Sequence, residues 1–183
     1  MTDYDDTKAL LEQLHKMAFE TDIRACLNAG AVIGTFILVS CYVDYLAMFW
    51  AAARGEIQNG WHTGEHYKQF VREFLPAYDA AAVYDDLRCK MVHEYFLGAR
   101  YALRFKGKGS HLQVDHKHPN KVHIDLESFV SDVEEAAVQL KNRILGKQEY
   151  WSLRWATLKG KLLTEAPMFT QEEWDDAMSG ISP

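Results

Sequence analysis

The chain has 183 residues, 48% hydrophobic and 25% charged, with a formal net charge of −6. That length suits one domain with a sizeable core, and the composition excludes a chain disordered throughout. The acidic total excludes a general nucleic-acid coat, whose affinity would rest on many phosphate contacts, but it leaves room for a local basic patch. Cys26, Cys41 and Cys89 are odd in number and widely spaced. They argue against a disulfide framework or a cysteine-built zinc site and fit a reduced, cytoplasmic interior. The acidic start Met1-Thr2-Asp3-Tyr4-Asp5-Asp6 does not have the pattern of a signal peptide.

Leu10, Leu11, Leu14, Met17 and Ala18 recur at helical spacing and predict an amphipathic helix over 5–25. Residues 29–54 read as a second helix, ended near Gly55. Asp44 is the only charge from Ala29 to Ala53, so by length alone this stretch reaches across a bilayer. A carboxylate near mid-span is costly there, and Gly30, Gly34, Thr35 and Ser40 dilute the run. It is expected at the centre of a bundle, with no membrane as partner. Asn59-Gly60 marks a loop over 57–64. Tyr67, Phe70, Val71 and Phe74 define a third helix over 65–75, closed by Pro76. Val83, Leu87, Met91, Val92 and Tyr95 define a long fourth helix over 78–99.

Short runs at 101–105, 111–114 and 122–124 then lie between turn residues, and read as a small antiparallel hairpin or three-stranded flap near 101–124. Helical spacing returns over 126–145 and stops at Gly146. The remainder, 147–183, is a Trp-rich helical extension carrying Trp151, Trp155 and Trp174, with Thr170-Gln171-Glu172-Glu173 as a capping-box start. The expectation is one mainly α domain over 1–183, a helical bundle with core 5–145 and a small β insertion.

The stretch Leu87-Arg88-Cys89-Lys90-Met91-Val92-His93-Glu94 carries the most chemistry. Arginine stays charged, and histidine titrates near neutral pH. RNA cleavage without a metal needs a base for the 2′-hydroxyl, an acid for the leaving oxygen and positive charge on the transition state. His93 can act as base or acid, Arg88 can clamp a phosphate, and Asp44 can orient one of them if it reaches across the bundle. Glu94 and Tyr95 are supporting candidates. On an ideal α-helix five residues turn the side chain by about 140° and advance it by about 7.5 Å. The pair is therefore expected on opposite rims of one face, poorly placed in a single copy. From Arg88 to Lys108 the chain holds Arg88, Lys90, Arg100, Arg104, Lys106 and Lys108 against Glu94 alone. That is either a phosphate-holding patch or a solvated hairpin turn.

Two histidine groups suggest metals on a first reading. His62-Thr63-Gly64-Glu65-His66 matches the inverted zinc-protease pattern, but that pattern needs a helix, and Gly64 argues for a loop-to-helix junction. His111, His116, His118 and His123 lie in the flap, where exposed loop histidines are the expectation. No metal ligand set and no cofactor is expected. No Gly-rich phosphate loop occurs, so ATP use has no support.

Arg88-x-x-x-x-His93 late in a bundle helix, with Cys41-Tyr42-Val43-Asp44-Tyr45-Leu46-Ala47 on an earlier one, resembles the HEPN domains (higher eukaryotes and prokaryotes nucleotide-binding). The likeness covers residues 5–145. It implies an all-α fold, usually dimeric, in which two Arg–His pairs face each other in one cleft. It implies either a metal-independent endoribonuclease, often in toxin–antitoxin or antiviral systems, or an inactive nucleotide-, RNA- or protein-binding module. The implied partners are a second copy, RNA and an antitoxin-like protein. Cys89 departs from the family pattern, where a polar amide or acid commonly follows the arginine.

Overall fold

The computed structural model describes residues 3–56, 63–94, 99–104 and 110–147. Within them the chain is mainly helical. Helix α1 (Asp3–Leu14) continues without a break into a π-helical stretch, π1 (His15–Ile23), and then α2 (Arg24–Asn28). Gly30, at φ 69°, ends this rod. Helix α3 (Val32–Ala53) follows, then α4 (Thr63–Phe74). Asp79 caps the next helix by accepting from the backbone amides of Ala81 and Ala82, satisfying donors that a helix start leaves open. That helix runs through α5 (Ala80–Ala82), a second π-helical stretch π2 (Val83–Lys90), and α6 (Met91–Glu94). Strands β1 (Tyr101–Arg104) and β2 (Val122–Asp125) precede the long α7 (Leu126–Leu145).

Helix α3 is long and apolar enough to cross a membrane by length and composition. In this fold it is the central rod, packed against α4, α7, π1 and π2. Phe36, Val39, Val43 and Ala51 have no exposed surface, and Phe36 stacks on Phe129 of α7 at 5.8 Å. Its buried face contacts protein, as expected of a bundle core.

The third helix begins at Thr63, so Gly64 lies inside it rather than ahead of it. A β-carbon on Gly64 would stand 3.1 Å from the Tyr84 ring, so a glycine here lets π2 approach closely. His62, the first residue of the zinc-protease pattern, lies outside the described residues. So does the Trp-rich extension beyond Lys147, with Trp151, Trp155 and Trp174.

The β insertion corrects one expectation. The two strands are parallel, with Tyr101 opposite Val122 and Arg104 opposite Asp125. A parallel pair needs a crossover rather than a tight turn. Part of that crossover forms an irregular antiparallel edge on the other side of β2. The Leu112 amide donates to His123 O, and the His123 amide to Gln113 O. Leu112 takes a positive φ of 58°, which keeps the middle run from becoming a regular strand.

β2 leads directly into α7. The Asp125 side chain caps that helix by accepting from the Ser128 amide at 3.0 Å and from its hydroxyl at 2.9 Å. The Asp125 amide donates to His111 Nδ1, and Tyr78 OH bridges His111 Nε2 at 2.8 Å and Asp132 Oδ2 at 2.6 Å. His111 thus ties the insertion to the bundle.

Candidate functional site

Arg88 and His93 meet. Arg88 Nη1 donates to His93 Nε2 at 3.0 Å. The ideal-helix expectation failed because residues 83–90 are π-helical rather than α-helical. Hydrogen bonds from i to i+5 bring residues five apart close to register. Tyr84 and Cys89, also five apart in π2, interact in the same way. One copy of the chain therefore brings the motif pair into contact.

On the inner side, Arg88 Nε donates to Asp44 Oδ2 of α3 at 2.6 Å. The order from core to surface is Asp44, Arg88, His93. The carboxylate side chain is 15% exposed and the guanidinium 20%, while His93 is exposed. Arginine is always a donor, so His93 Nε2 is the acceptor and its ring proton sits on Nδ1. Arg88 Nη2 has no hydrogen-bond partner among the described residues.

Burial is the largest single influence on Arg88 and works against its charge, but the Asp44 hydrogen bond and charge, with Cys41 and Cys89, together outweigh it and raise the pKa above its ordinary value. Burial also pushes the Asp44 carboxyl up, and the bond to Arg88 opposes this only in part. Asp44 Oδ1 is buried with no partner among the described residues, which accounts for that cost. A carboxyl with a raised pKa binds its proton more tightly in the folded chain than in the unfolded one. The Asp44 contribution to stability is therefore least favourable above the folded value. It improves as the pH falls through that value towards the ordinary 3.8. Asp44→Asn is expected to remove this segment of the pH–stability curve, measured by urea denaturation between neutral pH and about pH 4. A curve identical in wild type and variant would contradict it.

Tyr67 of α4 is fully buried, and its hydroxyl has no hydrogen-bond partner among the described residues. Burial is the main cause of its strongly raised pKa, with Asp44 adding to it and Arg88 opposing. An unpaired buried hydroxyl costs stability. Tyr67→Phe is expected to stabilise the fold by about 1 kcal/mol, read as a higher midpoint in chemical denaturation. A loss of stability would reveal a water between the hydroxyl and the Asp44 carboxylate.

The basic stretch is less free than its linear count suggests. Arg100 Nη2 pairs with Asp79 at 3.2 Å, and its amide donates to Asp86 Oδ2. Arg104 Nε donates to His123 Nδ1 at 3.0 Å, and His123 Nε2 in turn meets Asp115 Oδ2 at 3.0 Å. Lys90 and Glu94 are exposed. Lys106, Lys108 and Tyr95 lie outside the described residues. The partner acids come from other parts of the chain, so a count over residues 88–108 misses them. His123 is buried, unlike the exposed His116 and His118. Among the described residues no group of three metal-binding side chains comes together.

The fold and site define a mainly helical bundle with an ion-linked Asp–Arg–His array that opens to the surface at its histidine. No protein-family model matches the chain, and no curated protein or solved structure is significantly similar to it.

Proposed function

We propose that the chain is a HEPN-like, metal-independent endoribonuclease, with a toxin or defence role in the cytoplasm, in which Arg88 and His93 carry the chemistry. The observation behind this reading is the 3.0 Å contact between the Arg88 guanidinium and the imidazole of an exposed histidine. Arg88 Nη2 is available to a phosphate oxygen. His93 can accept the 2′-hydroxyl proton or return one to the leaving oxygen once a phosphate competes for Arg88. One imidazole does not serve as base and acid at once, so a second copy completes the site in this reading.

A docking face for that second copy has physical support on α3. Ile33, Ile37, Cys41 and Tyr45 recur every fourth residue and stay exposed or half-buried on the flank that leads to Asp44. Ile33 is 44% exposed. Apolar side chains left in a row on the most apolar helix are suited to cover by a second subunit.

A second reading is a non-catalytic module of the same kind, binding a nucleotide, RNA or a protein such as an antitoxin. The 2.6 Å Asp44–Arg88 bond favours it, because a guanidinium already paired with a carboxylate is a weaker phosphate clamp. Cleavage of single-stranded RNA in EDTA by the full chain separates the two. Activity lost in His93→Ala and in Arg88→Ala supports the enzyme. Binding without cleavage supports the module. Activity that survives both substitutions, or a chain that stays monomeric at high concentration, overturns the composite site.

A further inference from the structure

On an α-helix two residues turn the side chain by about 200°, so Tyr42 and Leu46 point away from Asp44, to the far side of α3. There they face a cavity of about 410 Å³, within the size range of small-molecule sites. It opens where the first helix widens from α to π winding at His15, a local irregularity that often marks a functional position. Leu11, Leu46, Ala137 and Val138 form its apolar wall.

The polar groups converge on this wall. His15 Nδ1 lies 3.0 Å from Tyr42 OH, and the ring stacks on Phe19 at 5.2 Å. Burial raises the Tyr42 pKa and keeps its hydroxyl protonated. Its one hydrogen-bond partner among the described residues is His15 Nδ1, and with the hydroxyl as the donor the imidazole proton sits on Nε2. Burial also lowers the His15 pKa, against the opposing pull of Glu20, and keeps the ring neutral. His15 Nε2–H is therefore a fixed donor without a partner among the described residues. At the rim Lys141 is paired with Glu12 at 3.3 Å. Lys16 and Glu20 also line the cavity, and neither forms an ion pair among the described residues.

From this arrangement of one apolar wall, one N–H donor, and one cation and one anion without ion-pair partners among the described residues, we infer that the cavity is a binding site for a zwitterionic amphiphile, an α-amino acid with a large apolar or aromatic side chain. The side chain lies on Leu46 and Val138. The carboxylate takes His15 Nε2–H and Lys16, and the ammonium takes Glu20. A ligand of single charge would leave one rim group opposed or unmet. The site is separate from Arg88 and stands whether or not the chain cleaves RNA.

Titration of the full chain with L-phenylalanine tests it, read by calorimetry and by the imidazole nitrogen resonances of His15. Saturable one-to-one binding that moves those resonances is expected. N-acetyl-L-phenylalanine lacks the ammonium and L-phenylalaninamide lacks the carboxylate. Each should bind about tenfold more weakly or worse, from one lost charge-assisted hydrogen bond. Val138→Trp fills the cavity from an exposed position and should abolish binding, with circular dichroism confirming the fold. Lys16→Ala should remove the preference for L-phenylalanine over its amide. His93→Ala should bind as the wild type does. No saturable binding, equal affinity for the three probes, binding retained in Val138→Trp, or binding lost in His93→Ala would each overturn the assignment.

Discussion

For the proposed endoribonuclease, His93→Ala is expected to lower metal-independent RNA cleavage by about 10²- to 10⁴-fold, the usual span of a positioned acid or base, while RNA binding stays close to wild type. The side chain is exposed and makes one hydrogen bond among the described residues, to Arg88 Nη1, so its removal leaves no buried group unmet. The loss should fall on kcat and spare KM, the mark of an interaction made only in the transition state. Arg88→Ala should behave differently. It removes the proposed phosphate clamp and also strips Asp44 of its one side-chain partner among the described residues, where Asp44 Oδ1 has none. Cleavage, RNA affinity and thermal stability should all fall together. Arg88→Lys would keep the charge but lose the fork that holds carboxylate and imidazole at once, so partial stability without recovered cleavage is expected. Equal stability of the Arg88→Ala and His93→Ala proteins would contradict this order from core to surface.

Phe129→Ala is expected to destabilise the fold by about 3–5 kcal/mol, the cost of removing a large buried ring together with the cavity it leaves. Phe129 has no exposed surface. It stacks on Phe36 of the central helix at 5.8 Å and leans on the Tyr78 ring at 5.6 Å. Tyr78 in turn holds His111 and Asp132 by its hydroxyl. The vacancy therefore opens beneath the anchor that fastens the β insertion to α7. Urea denaturation should show a lower midpoint with an unchanged slope if the native state stays compact. A cost below about 1 kcal/mol would mean that Phe36 and Tyr78 close over the gap.

Much of the helical framework was legible from periodicity, because buried positions repeat along a helix. Phe70, Val71 and Phe74 were on the inner face of α4 as expected, and Phe129, Val133 and Leu140 on that of α7. Asp125 also begins α7 where the pattern resumes. Strand direction was not legible. Short apolar runs between turn residues look alike whether the return is a hairpin or a crossover, and the decisive signal, the positive φ of Leu112, falls on a residue that gives no hint of it. The site was legible in its members and only partly in its wiring. Asp44, Arg88 and His93 were all candidates, yet the ion pair joins residues 44 positions apart, and Asp79 reaches Arg100 from outside the basic stretch. Tyr67 read as an ordinary core aromatic, since nothing local marks a hydroxyl that stays unpaired. His15 and Tyr42 lie on different helices and share no motif.

The winding of π2 has a consequence for the pair it carries. A fifth-neighbour contact on a π turn is the counterpart of a fourth-neighbour contact on an α turn. An extra residue between the arginine and the histidine, taken up by wider winding, leaves the two side chains facing each other. The interval between them is thus a property of backbone pitch as much as of residue order. A chain with one residue fewer and an ordinary α-helix at this point could bring the same two groups into the same contact.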